Sequence, residues 1–343
     1  MGLLKKVVRS VLALPGASSS FRPLLRDCGV ILMLHRFTDP DRGVKGDDPA
    51  RVRQFLAYLR RKKYDILPLG DVFSRLAEGK PLRGAIAFTI DDGYYDQAAI
   101  GGEVFAEYDC PVTVFATSGF VDGQLWFWWD KIDHVFRNST RKELRFILAD
   151  EELRYSIQDA RECDAARADF IGRCKKVPDA EKHAAIARLA AAAEVALPEK
   201  PPAMYAPLTW DQARKGEGRG MTFGPHTVTH PILSNTPDDQ SDFEICRSWE
   251  RIQAEVRRPV PVFCYPNGQW GDFGDREVAI LQRAGLKGAV LGLAGYARVT
   301  AFHGSAGAPF RVPRFCLPEQ FVDLVQYVSG MERMKEIVRG GAA

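Results

Sequence analysis

The stretch Ala85-Ile86-Ala87-Phe88-Thr89-Ile90-Asp91-Asp92-Gly93 decides how this chain is read. A run of apolar and β-branched residues stopped by glycine predicts a buried strand. Buried strands of this kind occur in parallel sheets covered on both faces, and such folds place their chemistry at the carboxyl ends of the strands. Two aspartates stand at that end. Adjacent carboxylates repel each other unless a proton, an arginine or a cation shares the charge.

A second cluster offers a partner: His226-Thr227-Val228-Thr229-His230-Pro231. Histidines four apart meet on one helical turn, which is the expectation for His226 and His230. One carboxylate with two imidazoles makes a facial triad for a divalent cation and leaves positions open for water and substrate. The second carboxylate is then free to accept a proton. Taken singly, the aspartates read as turn formers and the histidines as a surface feature. Together, in a chain of enzyme size, they point to a hydrolytic site. Pro225 and Pro231 bracket the histidines and disfavour α geometry before each proline, so the ligand turn should be short and firmly placed.

The 343 residues are 46% hydrophobic and 27% charged, which suits one large α/β domain with insertions, or two smaller domains. A formal net charge of +3, spread along the chain apart from Arg60-Arg61-Lys62-Lys63, excludes a nucleic-acid binder. Seven cysteines without a C-x-x-C spacing argue against a disulfide framework and a zinc finger, and place the protein in a reducing, cytoplasmic setting. No stretch approaches the length of a membrane span. Residues 1–16 read either as an ordinary surface helix or as an amphipathic one that lays Lys5, Lys6 and Arg9 on the inner membrane surface.

Along the chain, Gly29 to His35 is the first expected strand. A helix over 50–64, a short strand at Tyr64–Leu69, a helix from Asp71, the aspartate strand, a helix near 97–107 and a strand at Val112–Ala116 follow. This alternation predicts a parallel sheet. It stops between about 126 and 205, where a mostly helical insertion or lid is expected, opened by Trp126-Phe127-Trp128-Trp129-Asp130. Those aromatic residues serve equally well as sugar-stacking faces and as core. Alternation resumes with strands at 220–224, Val260–Tyr265, Ala289–Leu293 and Phe310–Val312, and with helices at 238–256, 275–284 and Asp323–Val338. The fold class is therefore α/β: a distorted (β/α) barrel of about seven parallel strands, occupying residues 26–343 after an N-terminal segment 1–25.

Phe88-Thr89-Ile90-Asp91-Asp92-Gly93, His226 to Pro231 and Tyr265-Pro266-Asn267-Gly268 resemble the first three motifs of the polysaccharide deacetylases, the NodB-homology family. The helical insertion and Leu208-Thr209-Trp210-Asp211 resemble members associated with bacterial surface-glycan biosynthesis. The resemblance implies removal of an N- or O-acetyl group from an amino sugar of a surface glycan or its lipid-linked precursor. By position it makes Asp91 the general base and Asp92, His226 and His230 the ligands of one divalent ion, zinc first, with cobalt, nickel or manganese also accepted. It implies that Tyr265, Pro266 and Asn267 line the substrate, with the Asn267 N–H facing the oxyanion. The sequence departs from the family pattern where the third motif usually begins with an arginine paired to the base. Cys264 stands there, and Arg314 is the residue able to supply that charge from another strand. No Asp-x-x-Asp-Trp or ordinary Leu-x-His motif is found. His35, at the end of the first strand, resembles a histidine seen at the barrel mouth in some relatives, and is otherwise a strand-end histidine satisfied by backbone. His303 lies in the right region by order, within a Gly/Ser/Ala-rich loop. A deformylase acting on a lipid-linked amino sugar, and an inactive barrel that binds glycan, are the alternatives.

Overall fold

The computed structural model describes residues 21–338. The expectation for residues 1–16 lies outside them. Strand β1 (Cys28–Leu34) leads through helices α1 (Pro49–Arg61) and α2 (Leu69–Ala77) to β2 (Ile86–Asp92). A π-turn at Gln97–Gly101 and α3 (Gly102–Ala106) return the chain to β3 (Val112–Ala116). Every residue of these three strands is buried, as expected of strands covered on both faces. The helix starts follow local chemistry: α1 has Asp48 as its N-cap, accepting from Ala50 N, with Pro49 in its first turn.

The insertion follows. It comprises α4 (Trp128–Asn138), a hairpin of β4 (Glu143–Leu148) and β5 (Glu151–Ser156), α5 (Ala160–Cys174) and α6 (Asp179–Ala192). It has its own core of Trp128, Ile132, Phe136, Leu144, Phe146, Phe170, Ile186 and Leu189. The expectation of mostly helical segments missed this hairpin. Its signal is the alternation Glu143-Leu144-Arg145-Phe146-Ile147-Leu148, in which Leu144, Phe146 and Leu148 alone are buried.

The barrel resumes with α7 (Trp210–Glu217), opened by a Thr209/Gln212 capping box, and continues through β6 (Met221–Pro225), α8 (Asp238–Glu255), β7 (Val262–Cys264), α9 (Asp275–Arg283) and β8 (Gly288–Val290). A short β9 (Ala297–Arg298), β10 (Phe315–Cys316), α10 (Phe321–Ser329) and α11 (Met331–Val338) close the described chain. Parallel ladders run in the order β10-β1-β2-β3-β6, and β7 pairs β8. Two isolated parallel bridges, Phe223 to Pro259 and Val290 to Val312, join these sheets into a ring. The α/β barrel with an insertion is thus the observed fold.

Three local expectations differ from the structure. The short strand at 64–69 is one bridge, Ile66 to Ile86, because Pro68 has no N–H to extend a ladder and instead precedes α2. The strand at 310–312 is likewise one bridge; Pro313 interrupts it, and pairing to β1 occurs at Phe315–Cys316. The terminal helix is two helices, divided at Gly330, whose φ is 87°. No described helix is long and apolar enough to cross a membrane.

Gly224 sets the seam between β6 and β7. A Cβ there would lie 2.9 Å from both the Phe115 ring and the Val262 carbonyl oxygen. Gly224→Ala is expected to lower unfolding stability by about 1–3 kcal/mol through overpacking, read as a reduced urea midpoint at unchanged slope.

Candidate functional site

Successive residues of a strand point to opposite faces, yet Asp91 and Asp92 open into one cleft. The backbone resolves the conflict: Asp92 has φ 91° and Gly93 φ 98°, so the chain turns over at the strand end. A non-glycine residue in this conformation costs on the order of 1–3 kcal/mol. Gln97 secures the turn. Its Oε1 accepts from Gly93 N at 3.0 Å, while its Nε2 donates to the carbonyls of Asp91 and His35, fixing β2 to the end of β1.

Each buried carboxylate has its own partners. Arg314 is 1% exposed and grips Asp91 with two bonds of 2.7 Å, and it also donates to Thr89 Oγ1 and the Leu291 carbonyl. Arg314 therefore supplies the charge that Cys264 cannot. The Cys264 thiol lies 3.3 Å from Asp91 Oδ2 and 3.2 Å from the same guanidinium. Burial pushes the Asp91 carboxyl up, but Arg314 overrides it and holds the group well below the usual carboxylate range. For Asp92 burial acts in the same upward sense and is overridden by His226, His35 and His230.

Asp92 Oδ1 lies 3.6 Å from Nε2 of both His226 and His230. The three ligand atoms fall within 4.8 Å of one another. A tetrahedral ion with bonds of roughly 2.1 Å needs donors about 3.4 Å apart, so this set fits a divalent cation. Asp91, His226 and Cys264 also converge, but Arg314 already occupies both Asp91 oxygens and leaves no place for a second cation. Burial pushes His226 down, and Cys264 and Asp92 more than reverse this, raising it well above its ordinary value. Burial and His226 lower His230 to about 3.

The histidines are not on a helical turn, contrary to expectation. Residues 226–230 form a loop in which Thr227 (φ 65°) and His230 (φ 60°) take left-handed conformations, held by lacing to the surroundings. Ser118 N and Gly119 N donate to the Thr227 and Val228 carbonyls. Glu244, buried on α8, accepts from Val228 N, Thr229 N and Thr229 Oγ1. His226 Nδ1 lies 2.7 Å from the Cys264 carbonyl, which aims Nε2 at the ion position. Trp129 packs edge-on against His230 at 4.6 Å. The expectation of a short, firm turn holds.

These residues line a cleft of about 650 Å³ whose wall includes Trp128, Trp129, Asp130, Ile171 and Lys175 from the insertion. His35 stands at its rim, half exposed, with Nε2 4.0 Å from Asp91 Oδ2. Tyr265 reaches the cleft, but its ring is buried and stacked on Phe273 at 3.9 Å. Asn267, with φ 61°, sits in a tight turn closed by Gly268 N to Pro266 O. Among the described residues nothing accepts from its N–H. His303 bonds the Leu76 carbonyl and does not line the cleft, while His134 and His183 belong to the insertion. Sequence reasoning missed Gln97, Tyr94, Asp130, Lys175 and Glu244. Glu244 had a signal, being a charged residue in line with Ser241, Ser248 and Ile252 on the buried face of α8. Asp130 accepts from Tyr94 OH, which also receives Trp129 Nε1, and burial pushes its carboxyl well up.

A parallel barrel whose mouth carries an Asp/His/His set able to hold a cation, beside a second, separately paired aspartate, has the make-up of a hydrolytic site. Residues 175–289 match the family model for polysaccharide deacetylase; this stretch holds His226, His230 and the Tyr265–Gly268 turn. No curated protein matches the chain. Among solved structures, the chain is similar to the Streptococcus pyogenes deacetylase PplD in complex with acetate, with TM-score 0.57 and 16% identity over 89% of this chain and 99% of that one. It is also similar to IcaB from Ammonifex degensii (TM-score 0.52, 16% identity, 89% and 97% covered) and to a de-N-acetylase from Aggregatibacter actinomycetemcomitans (0.52, 13%, 88% and 100%). The match over residues 175–289 supports a sugar deacetylase, and the solved structures share the fold.

Arg314→Gln is expected to cost about 3–5 kcal/mol, because it leaves the Asp91 charge buried without a partner. The sign of the pH dependence also inverts. In the wild type Asp91 is depressed, so its stabilisation is present above the unfolded value near 3.9 and fades as pH falls below it. Without the guanidinium, burial raises Asp91, and the variant should lose stability as pH rises from about 4 to 7. Urea midpoints across that range check this.

Proposed function

We propose that the protein is a metal-dependent hydrolase that removes an N-acetyl group from an amino sugar of a bacterial surface glycan or its lipid-linked precursor. The observation that carries this reading is the Asp92/His226/His230 set lying beside an Asp91 that Arg314 keeps ionised. When bound, a divalent ion supplies Lewis acidity that polarises the acyl carbonyl and acidifies water. Asp91, held low by Arg314, would be a weak base at the wall of the cleft, able to take a proton from a water beside it. Arg314 holds the carboxylate at the wall of the cleft and stabilises its charge until the proton arrives. The Asn267 N–H, for which no acceptor is found among the described residues, is our assignment for stabilising the developing oxyanion. His35, on the rim beside Asp91, is our assignment for the proton donor to the leaving amine. Trp128 and Trp129 wall off one side and exclude water from the acyl group. Seven free cysteines support a cytoplasmic location.

Purified protein loaded with zinc should release acetate from N-acetylhexosamine oligosaccharides and lose that activity on chelation. Asp91→Asn should reduce kcat by about 10²–10⁴-fold while retaining the ion. Near-normal turnover by Asp91→Asn would remove its assignment as the base.

Cation binding should also release protons, since His226 is raised above its ordinary value and must be neutral to act as a ligand. Calorimetry near neutral pH in buffers of different ionisation enthalpy should find about one proton released per ion. His226→Ala should abolish both the binding and the release.

A further inference from the structure

We infer that the insertion makes the cleft selective for an acetylated sugar bearing a carboxylate or phosphate group, and that Lys175 is the residue that reads this charge. This rests on the deacetylase reading and names the class of sugar it would act on. Lys175 follows the last residue of α5 and lines the catalytic cleft. Its ammonium donates to Asn267 Oδ1 at 2.8 Å, and its carbonyl accepts from Asn235 Nδ2 at 3.2 Å, so both ends of the residue are tied to the barrel mouth. The Asn267 amide is itself oriented by Nδ2 donating to Asp272 at 2.6 Å, which turns Oδ1 toward the ammonium.

Charge accounting sets Lys175 apart. Around the cleft Arg314 is paired with Asp91, and Arg36 with Asp96. In the adjoining insertion Lys182 is paired with Asp179, and Arg173 with Glu151 and Asp169. Among the described residues Lys175 has no carboxylate partner, only the neutral amide of Asn267. An ammonium has three donors, and one is spent. A lysine at a helix C-terminus is favoured by the helix dipole, but the basic residues Arg173 and Lys176 already serve that end. Lys175 therefore brings to the cleft a positive charge without a direct ion pair, separated by the Asn267 amide from the Asp272 carboxylate and keeping two donors unspent. An oxyanion on the acetylated sugar, or on its immediate neighbour, would meet both remaining donors. A neutral sugar would leave them to water.

The test compares kcat and KM of the zinc-loaded full chain on three disaccharides of equal length: neutral N-acetylhexosamine, one with a uronate neighbour and one carrying a phosphate. At least one anionic substrate should show kcat/KM about tenfold higher than the neutral one, the scale of one charge-assisted hydrogen bond. The gain should lie in KM, be lost in Lys175→Met and largely persist in Lys175→Arg. The uronate and phosphate arms identify the source of the charge. Equal kcat/KM for all three in the wild type, or a preference that survives Lys175→Met, overturns the inference. If the wild type releases no acetate from any of them, the deacetylase reading fails, and calorimetric binding of the same sugars to wild type and Lys175→Met decides the charge question. Tighter anionic binding lost in Lys175→Met sustains it; equal binding overturns it.

Discussion

Two neighbouring carboxylates must be buried at one strand end without neutralising each other's use, and much of the barrel mouth follows from that constraint. A pair left alone would share a proton and lose either its ligand or its base. The structure separates them by giving each its own countercharge. Arg314, arriving from the start of β10 across β1, takes Asp91, and the two imidazoles take Asp92. The separation depends on the conformation of Asp92, which turns its side chain into the same cleft as Asp91. Gln97 and Glu244 hold the two supporting turns in place, yet neither is called on to touch a reacting atom.

The insertion is more than an ornament on the barrel. It has its own hydrophobic core, and Trp129 reaches from it to His230. The ligand loop is thus supported from below by β3 and α8 and from the side by the insertion. The insertion also brings Lys175 to the Asn267 turn, so it and the barrel mouth meet at one asparagine.

The barrel was legible because its strands announce themselves. Val30 to Leu34 is a continuous apolar run and Ile86 to Ile90 one broken only by the β-branched Thr89, and Asp91, Asp92, His226 and His230 fall where such strands end. What sequence could not show was long-range pairing. Arg314 and Asp91 lie 223 residues apart, and the parallel pairing of β10 to β1, next to β2, brings them together. The histidine spacing was right but its reason was not, because a left-handed loop delivers the same proximity as a helical turn. The hairpin at 143–156 was overlooked although its alternation is plain. Alanine-rich helical segments on its C-terminal side dominated the reading of that region. Lys175 and Glu244 carry no motif, and their meaning comes entirely from what the fold sets opposite them.

The two single-bridge seams give the molecule an uneven stiffness. The cation ligands rise from β2 and β6 within a continuous ladder, whereas the Asn267 turn rises from the β7–β8 pair, joined to its neighbours at Phe223/Pro259 and Val290/Val312. The Asn267 side of the mouth is therefore tied into the ring by fewer backbone pairs than the side that carries Asp92 and leads into His226, so thermal opening of the ring should begin at these two seams.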